Sequence, residues 1–293
     1  MAIYLSQLFT GLSVGSVLLL IALGLTFTFG QMGVINLAHG ELIMAGAYTA
    51  YMVGGVVGQG ISLLVALPVA FAVAGTMGLV LERVLIRRLY GRPLDTLLVT
   101  WGVSLVLQQL ARDIFGAPNV NAKAPTWLDG GVQVFGATLP YARLFILALV
   151  GASVTGIWLY LTRSPQGRRM RAVMQNRQLA ACSGIATAGV DQRTFFIGSG
   201  LAGAAGVALT LLGPIGPSLG TNYIVDAFLV VVAGGLGQLR GAVLAALALG
   251  VLEAMVEFKT QASLAKVVGF VAVVALLQVR PQGLVAVRSR ALT

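Results

Sequence analysis

The chain has 293 residues, of which 58% are hydrophobic and 10% are charged, and its mean hydropathy is +0.93. A soluble domain carries about 25% charged residues, so this composition excludes a soluble globular protein and predicts helices that cross a membrane. A net charge of +10 would suit nucleic acid in a soluble protein, but basic residues gathered in short loops are typical of the cytoplasmic side of a membrane protein. We expect no nucleic-acid partner. The only cysteine, Cys182, excludes an internal disulfide, and with a single histidine we expect no metal site.

Nine apolar segments follow one another along the chain. Most of them have the length that a bilayer-crossing helix needs, about 17 to 25 residues. The seventh is short, and we interpret it as a half-helix or a strongly tilted span. We therefore predict one transmembrane domain over residues 1–293, an all-α polytopic membrane protein with broken helices. The predicted segments are 5–29, 42–57, 62–86, 94–111, 141–161, 194–212, 223–233, 242–257 and 264–279.

A polar break separates the first two segments. The stretch GQMGVINLAHGELIMAGAY (30–48) carries Asn36, His39 and Glu41. Irregular backbone at membrane depth must face protein or water, and transporters use such broken helices to bind small polar solutes. A second break, GPIGPSLGTNY (213–223), follows the sixth segment. The two breaks fall at opposite membrane faces, which predicts two halves of inverted orientation.

The basic residues orient the chain. Of nineteen Lys and Arg residues, all but five lie inside if the N-terminus is periplasmic and the C-terminus, with Arg280, Arg288 and Arg290, is cytoplasmic. The loop 116–139 is then periplasmic. The segment 163–193 is a cytoplasmic loop in which Met170, Val173 and Met174 fall near helical spacing, predicting a short amphipathic helix. The five outer basic residues are Arg112, Lys123, Arg143, Lys259 and Lys266.

Several stretches resemble permeases of the branched-chain amino acid class of ABC importers, which act at the bacterial inner membrane. They are VINLAHGELIMAGAY (34–48), the basic loop 163–185, and DAFLVVVAGGLGQLRGAVLAALALGVLE (226–253). The similarity runs over almost the whole chain. Within that family, 92–109, 30–44 and 220–228 look closer to the urea and short-chain amide permeases. The resemblance implies a second homologous permease subunit, two cytoplasmic ATPases that hold ATP and Mg, and a periplasmic substrate-binding protein.

A route for urea, a small neutral solute, needs oxygen acceptors for its N–H groups and a donor for its carbonyl, because unpaired polar groups are costly to bury. Acids within spans are rare and by default functional. We find no basic residue in the middle of a predicted span, which favours a neutral solute over a zwitterion. The predicted pathway residues are Asn36, His39, Glu41, Trp101, Gln108, Thr221, Asn222 and Asp226.

Each candidate has a simpler structural interpretation. Asn36 and His39 could cap the helix ends at the break, and Glu41 could pair with a partner subunit. Asp226 could be an acid near a helix N-terminus, stabilised by the macrodipole, and Trp101 could anchor the chain at the membrane interface. For Glu253 and Glu257, near Lys259, we predict a solvated surface face.

The basic loop is the second functional element. As a coupling helix it would fit a groove on an ATPase, and its apolar stripe favours a protein groove over lipid. The predicted coupling residues are Arg168, Arg169, Met170, Arg171, Val173 and Met174.

The leading hypothesis is the permease subunit of an ATP-driven importer of urea or short-chain amides. The alternatives are a branched-chain amino acid permease and a passive urea channel. The chain has no GxxxxGK[ST] motif, so ATP hydrolysis is assigned to separate subunits. It also lacks HExxH and paired cysteines, so we do not expect an enzyme.

Overall fold

The computed structural model describes residues 2–58, 60–122, 124–134 and 137–285. Lys123, Arg288 and Arg290, which entered the orientation above, lie outside the described residues. Short 3-10 turns occur at Ile86–Arg88 and Thr126–Leu128. The helices and strands are α1 Ala2–Met32, α2 His39–Val57, α3 Ser62–Val84, α4 Pro93–Phe115, β1 Gly131–Val134, β2 Ala137–Pro140, α5 Tyr141–Arg163, α6 Pro165–Gln175, α7 Arg177–Cys182, α8 Thr187–Leu209, α9 Leu219–Gly234, α10 Leu239–Glu257 and α11 Ala262–Val279.

The predicted all-α membrane architecture is confirmed. Among the described residues, seven helices are long and apolar enough to cross a membrane: α1 to α5, α10 and α11. The apolar helix α9 has only 16 residues, in agreement with the short seventh segment. The helix α8 has 23 residues but is not one of the seven, because glycines and its polar start lower its hydropathy. The number of crossings, nine, therefore stays a prediction.

Helix α1 runs through the middle of the bundle. It contacts α10, α8, α9 and α5, and each of the residues 17–23 is at most 3% exposed. A helix that is apolar on every side is one surrounded by other helices or by lipid, and here neighbouring helices provide most of the cover. The helix extends beyond the predicted 5–29 at both ends, since the polar residues of its last turn are also helical.

Helix α8 is enclosed by protein along its second half, where every residue from Gly198 to Leu209 is buried. It packs against α3, α2 and α1. Small residues allow such close helix contacts in a membrane. A Cβ on Gly203 would collide with the Ala70 carbonyl of α3, and one on Gly46 of α2 would collide with Gly203. Because helices rather than lipid surround α8, its low hydropathy is compatible with a position inside the bundle.

Two predicted loops are more structured than the sequence suggested. The loop 116–139 contains the antiparallel pair β1–β2 and a bridge between Val120 and Ile215. The predicted loop 163–193 holds α6 and α7, and it ends early because α8 begins at Thr187. The charged residues Asp191 and Arg193 made the first two turns of α8 resemble a loop, because the hydropathy rises only after them.

Candidate transport pathway and coupling end

The first break turns the chain back along α1. Gly33, just after the end of α1, has a left-handed backbone (φ 64°), and α2 then starts at His39, whose Nε2 lies 3.3 Å from the carbonyl oxygen of Ile21. At 1.5 Å per residue, Ile21 lies about 16 Å before Met32 along α1. Helix α2 therefore begins inside the bundle, and the break faces protein as predicted.

Helix α9 begins at the same place. A Cβ on Gly40, the second residue of α2, would lie 2.8 Å from the carbonyl oxygen of Gly220, the second residue of α9. The first turns of two helices thus touch in the interior. Because each N-terminus carries roughly half a positive charge, this junction offers an electropositive environment without a basic side chain. The sequence predicted a break before each of these helices but did not show that the two helix starts meet.

A polar cluster joins α2, α4 and α9 beside this junction. Glu41 is 1% exposed, and its Oε1 accepts hydrogen bonds from Ser104 Oγ (2.8 Å) and Gln108 Nε2 (2.9 Å). Gln108 Nε2 also lies 3.0 Å from Thr221 Oγ1. Three predicted pathway residues, Glu41, Gln108 and Thr221, therefore lie together. Ser104, which was not among the predicted residues, belongs to the same cluster. Glu41 Oε2 is buried without a hydrogen-bond partner among the described residues, so one acceptor stays available.

Asn36 and His39 do not cap the start of α2. The N-cap position is Ala38, and no side chain caps this helix. Asn36 is fully buried, and neither its Oδ1 nor its Nδ2 has a hydrogen-bond partner among the described residues. His39 contacts a carbonyl in the interior of α1 rather than a free helix end. The capping interpretation is therefore wrong for both side chains, because the break ends on an alanine.

A cavity of about 560 Å³ lies between α1, α8, α9, α10 and α11. Asp226 and Lys266 line it and form an ion pair with 2.8 Å between Oδ2 and Nζ. Lys266 also donates to the backbone carbonyl of Asn222, at 3.0 Å. Asp226 lies two turns into α9, not in its first turn, so the interpretation as a helix-start acid is wrong. Lys266 is the fifth residue of α11, so it does not contradict the expectation of no basic residue in the middle of a span, but it does bring a basic group into this cavity.

Glu253 belongs to the same cavity. It is only 9% exposed and its Oε1 has no hydrogen-bond partner among the described residues. The prediction of a solvated surface face is wrong for this residue, because α11 packs over that part of α10. Trp101, by contrast, is 53% exposed on α4. It is not among the described hydrogen-bonding partners of the cluster around Glu41, so its place in the pathway stays a prediction.

At the other end of the bundle, α6 has the predicted amphipathic character. Its arginines are exposed, but Met170 and Val173 are 3% and 2% exposed, and α6 packs against α5, α8 and α1. The apolar stripe that we assigned to an ATPase groove is therefore covered by the chain itself. Only the arginine side of α6 remains available to a partner. The exposed arginines are Arg168, Arg169 and Arg171.

An ionic network around the buried Asp191 connects α7 to the end of α1. Asp191 is fully buried and accepts from both guanidinium nitrogens of Arg177, at 3.1 and 2.5 Å, and from Gln31 Nε2 at 3.0 Å. The guanidinium also lies over the ring of Tyr90. Burial and the nearby carboxylates raise the pKa of the Tyr90 phenol, and the hydrogen bond to Asp191 raises the pKa of Arg177. The Tyr90 phenol therefore stays neutral and the Arg177 guanidinium stays charged, which suits a structural link between α7 and the first break.

Comparison with known proteins decides the family. The profile described as "Branched-chain amino acid transport system / permease component" matches residues 7–277. The chain belongs to this family of ABC transporter permeases. One relative is the high-affinity branched-chain amino acid transport system permease protein BraD of Pseudomonas aeruginosa, to which the chain is 32% identical. The alignment covers 96% of this chain and 95% of BraD. LivH of Escherichia coli K12, a permease protein of the same description, is also 32% identical, over 96% of this chain and 95% of LivH.

A third relative belongs to the same transport system in name but differs in length. LivM of Escherichia coli K12, a high-affinity branched-chain amino acid transport system permease protein, is 27% identical over 91% of this permease and 67% of LivM. No solved structure matches the permease. As a member of this family the permease is a transport subunit and not an enzyme. None of these three relatives has urea or amide in its name, so the predicted urea and amide subgroup finds no support here.

Sequence reasoning missed four residues of the permease that the structure places at these sites. Ser104 and Lys266 complete the two polar clusters, and Arg177 and Asp191 form the ionic network. Asp191 carried a usable signal, since it is the single acid in a strongly basic segment next to a span. The sequence around Lys266 gave no such signal, because Asp226, with which it forms an ion pair, lies 40 positions earlier in the chain.

Proposed function

We propose that this permease is the membrane-spanning subunit of an ATP-driven importer of branched-chain amino acids. The observation that carries the proposal is the 32% identity over 96% of the chain to permeases named for that substrate class. This replaces urea as the first choice. The argument for a neutral solute depended on the lack of positive groups inside the bundle. The Gly40–Gly220 junction supplies positive potential there, and Lys266 places a basic group in the cavity beside α9.

For the transport pathway we propose the interior route from the outer cavity to the Glu41 cluster. Asn36 and the Oε2 atom of Glu41 are buried without partners among the described residues, and such groups cost about 1–3 kcal/mol each. A polar substrate or the water that accompanies it would satisfy them during transport. His39, Gln108, Thr221 and Asp226 belong to the same proposed route. Asn222 takes part through its backbone carbonyl, which accepts a hydrogen bond from Lys266. Trp101 would line the pathway only if a partner subunit extended the pathway to its exposed side.

Urea or a short-chain amide remains a second candidate because of one feature of the Glu41 cluster. Among its members Glu41, Ser104, Gln108 and Thr221, oxygen acceptors predominate. Carboxylate, hydroxyl and amide oxygens are the groups that would accept the N–H donors of such a solute.

For the coupling end we propose that the arginine side of α6 contacts an ATPase subunit. Three exposed arginines on a helix anchored by its own apolar face would form a rigid projection. The ion pair Arg177–Asp191, with Gln31, would transmit movement of α6 and α7 to the first break. In this proposal 163–193 is the coupling region, on the cytoplasmic side, with the N-terminus periplasmic and the C-terminus cytoplasmic at the inner membrane.

The proposed assembly holds four further components. Escherichia coli contributes two different permeases, LivH and LivM, to the relatives, which supports pairing with a second homologous permease. The chain has no nucleotide-binding motif of the P-loop type, so two ATPases would supply ATP and Mg. A periplasmic binding protein would deliver substrate.

The deciding experiment is uptake by the complete complex in vesicles. Vesicles that hold both permeases and both ATPases receive the binding protein outside and ATP inside, with labelled leucine, urea and acetamide offered in turn. We expect ATP-dependent leucine uptake and no urea or acetamide uptake. Uptake of urea without leucine would reverse the choice, and urea flux without ATP would support a passive channel.

A further inference from the structure

The cavity between α9, α10 and α11 combines opposite charges with an apolar wall. Three carboxylates, those of Asp226, Glu253 and Glu257, line it together with one ammonium group, that of Lys266. The apolar wall comes from α1 and α8, including Leu18 and Leu209. Its volume, about 560 Å³, lies within the range of about 300–1,000 Å³ that small-molecule sites show. An ammonium-bearing molecule with an aliphatic part matches this lining.

The hydrogen bonds in the cavity leave specific positions open. The ammonium of Lys266 has three donors, of which two are directed at Asp226 Oδ2 and the Asn222 carbonyl. One donor therefore remains. Glu253 is more than nine-tenths buried, and its Oε1 has no hydrogen-bond partner within the described part of the chain. Burial of a carboxylate without a partner is unfavourable, which indicates that a donor is missing from this site.

Space around Glu253 is kept open by a glycine. A Cβ on Gly269 of α11 would lie 3.0 Å from Glu253 Oε1, so a larger residue there would press on the carboxylate. The neighbouring positions thus leave Glu253 buried but not crowded. Glu257 lies one turn further along α10 and is exposed, which places it at the mouth of the cavity and Glu253 deeper inside.

We propose that this cavity is an amino acid site in the outer half of the permease, with Glu253 as the acceptor for the substrate's α-ammonium group. The remaining donor of Lys266 binds the substrate carboxylate, and the aliphatic side chain lies against Leu18 and Leu209. Asp226 holds Lys266 in place. This inference rests on the proposed function, because it names where the transported amino acid first binds. In the proposed orientation the site lies on the side where the binding protein would release its substrate.

The test compares two neutralised acids in the complete complex in vesicles. Glu253→Gln keeps the size of the side chain and removes its charge. Asp113→Asn, the matched control, neutralises an exposed acid of α4 that bonds only Gln109 among the described residues and does not line the cavity. We expect Glu253→Gln to lower kcat/KM for leucine at least tenfold, because hydrogen bonds to charged groups are the stronger ones. The control should stay within twofold, and both variants should copurify with the ATPases.

A second measurement avoids the variant altogether. A photoreactive diazirine analogue of leucine is added to the wild-type complex, and the labelled residues are found by mass spectrometry. We expect labels on α9, α10 and α11 around the cavity, competed by excess leucine. Uptake by Glu253→Gln within twofold of wild type, or labels confined to other helices, would overturn the site while leaving the proposed function intact. If the wild-type complex takes up no leucine, the proposed function is wrong, and the proposed amino acid site is then wrong as well.

Discussion

Replacing Gly40 by alanine tests the contact between the starts of α2 and α9. The new Cβ would lie 2.8 Å from the Gly220 oxygen and 2.9 Å from its carbonyl carbon, whereas ordinary contacts begin near 3.4 Å. Both atoms belong to the backbone, so the two helices must separate by about 0.6 Å. Overpacking of this kind costs about 1–3 kcal/mol. We therefore expect Gly40→Ala to be destabilised and to transport more slowly.

The matched control is Gly54→Ala, in the same helix. A Cβ on Gly54 meets no atom within 4 Å, so this change should stabilise the helix by about 0.5–1 kcal/mol through reduced backbone entropy of the unfolded chain. The two variants should then differ by about 1.5–4 kcal/mol. At roughly 2–4 °C per kcal/mol for a chain of this size class, thermal unfolding in detergent separates them by several degrees. Equal melting temperatures, or a higher one for Gly40→Ala, would refute the close contact.

Three further predictions concern the charged sites. Asp226→Asn weakens the bond to Lys266, and we expect reduced leucine uptake by an assembled complex; unchanged uptake would remove Asp226 from the pathway. Asp191→Asn removes the charge that Arg177 contacts, which should cost about 1–3 kcal/mol since Arg177 is partly exposed, and should lower uptake more than the ATPase rate. Equal losses in both rates would argue against a transmitting role. Reversing charge on the exposed side of α6 should abolish copurification of the ATPases, and retained binding would place their contact elsewhere; the substitutions are Arg168→Glu, Arg169→Glu and Arg171→Glu.

Local sequence patterns predicted the elements of this permease well. Long apolar runs gave the spans, and Pro93 marked the start of α4 because proline is favoured at the first helical position. Methionine and valine at helical spacing, interspersed with arginines, predicted α6. Each of these signals depends only on residues that are neighbours along the chain, so no knowledge of the rest of the fold was needed.

The same patterns failed where burial had to be assigned to one face of a helix. Met170 and Val173 were correctly expected on the apolar side of α6, but that side lies against the permease itself. Glu253 was expected in solvent and is buried under α11. In a membrane protein almost every face of every span is apolar, so hydropathy cannot distinguish a face in lipid from a face covered by another helix.

The sequence alone therefore determined that this chain is a helical membrane permease with two interrupted segments and a basic loop. Only the tertiary structure decided that Gly40 meets Gly220, that Asp226 pairs with Lys266, and that Asp191 pairs with Arg177. The physical reason is that apolar runs and helix breaks are set by neighbouring residues. Ion pairs and contacts between helix starts are set by how separate helices pack, and no local pattern encodes that packing.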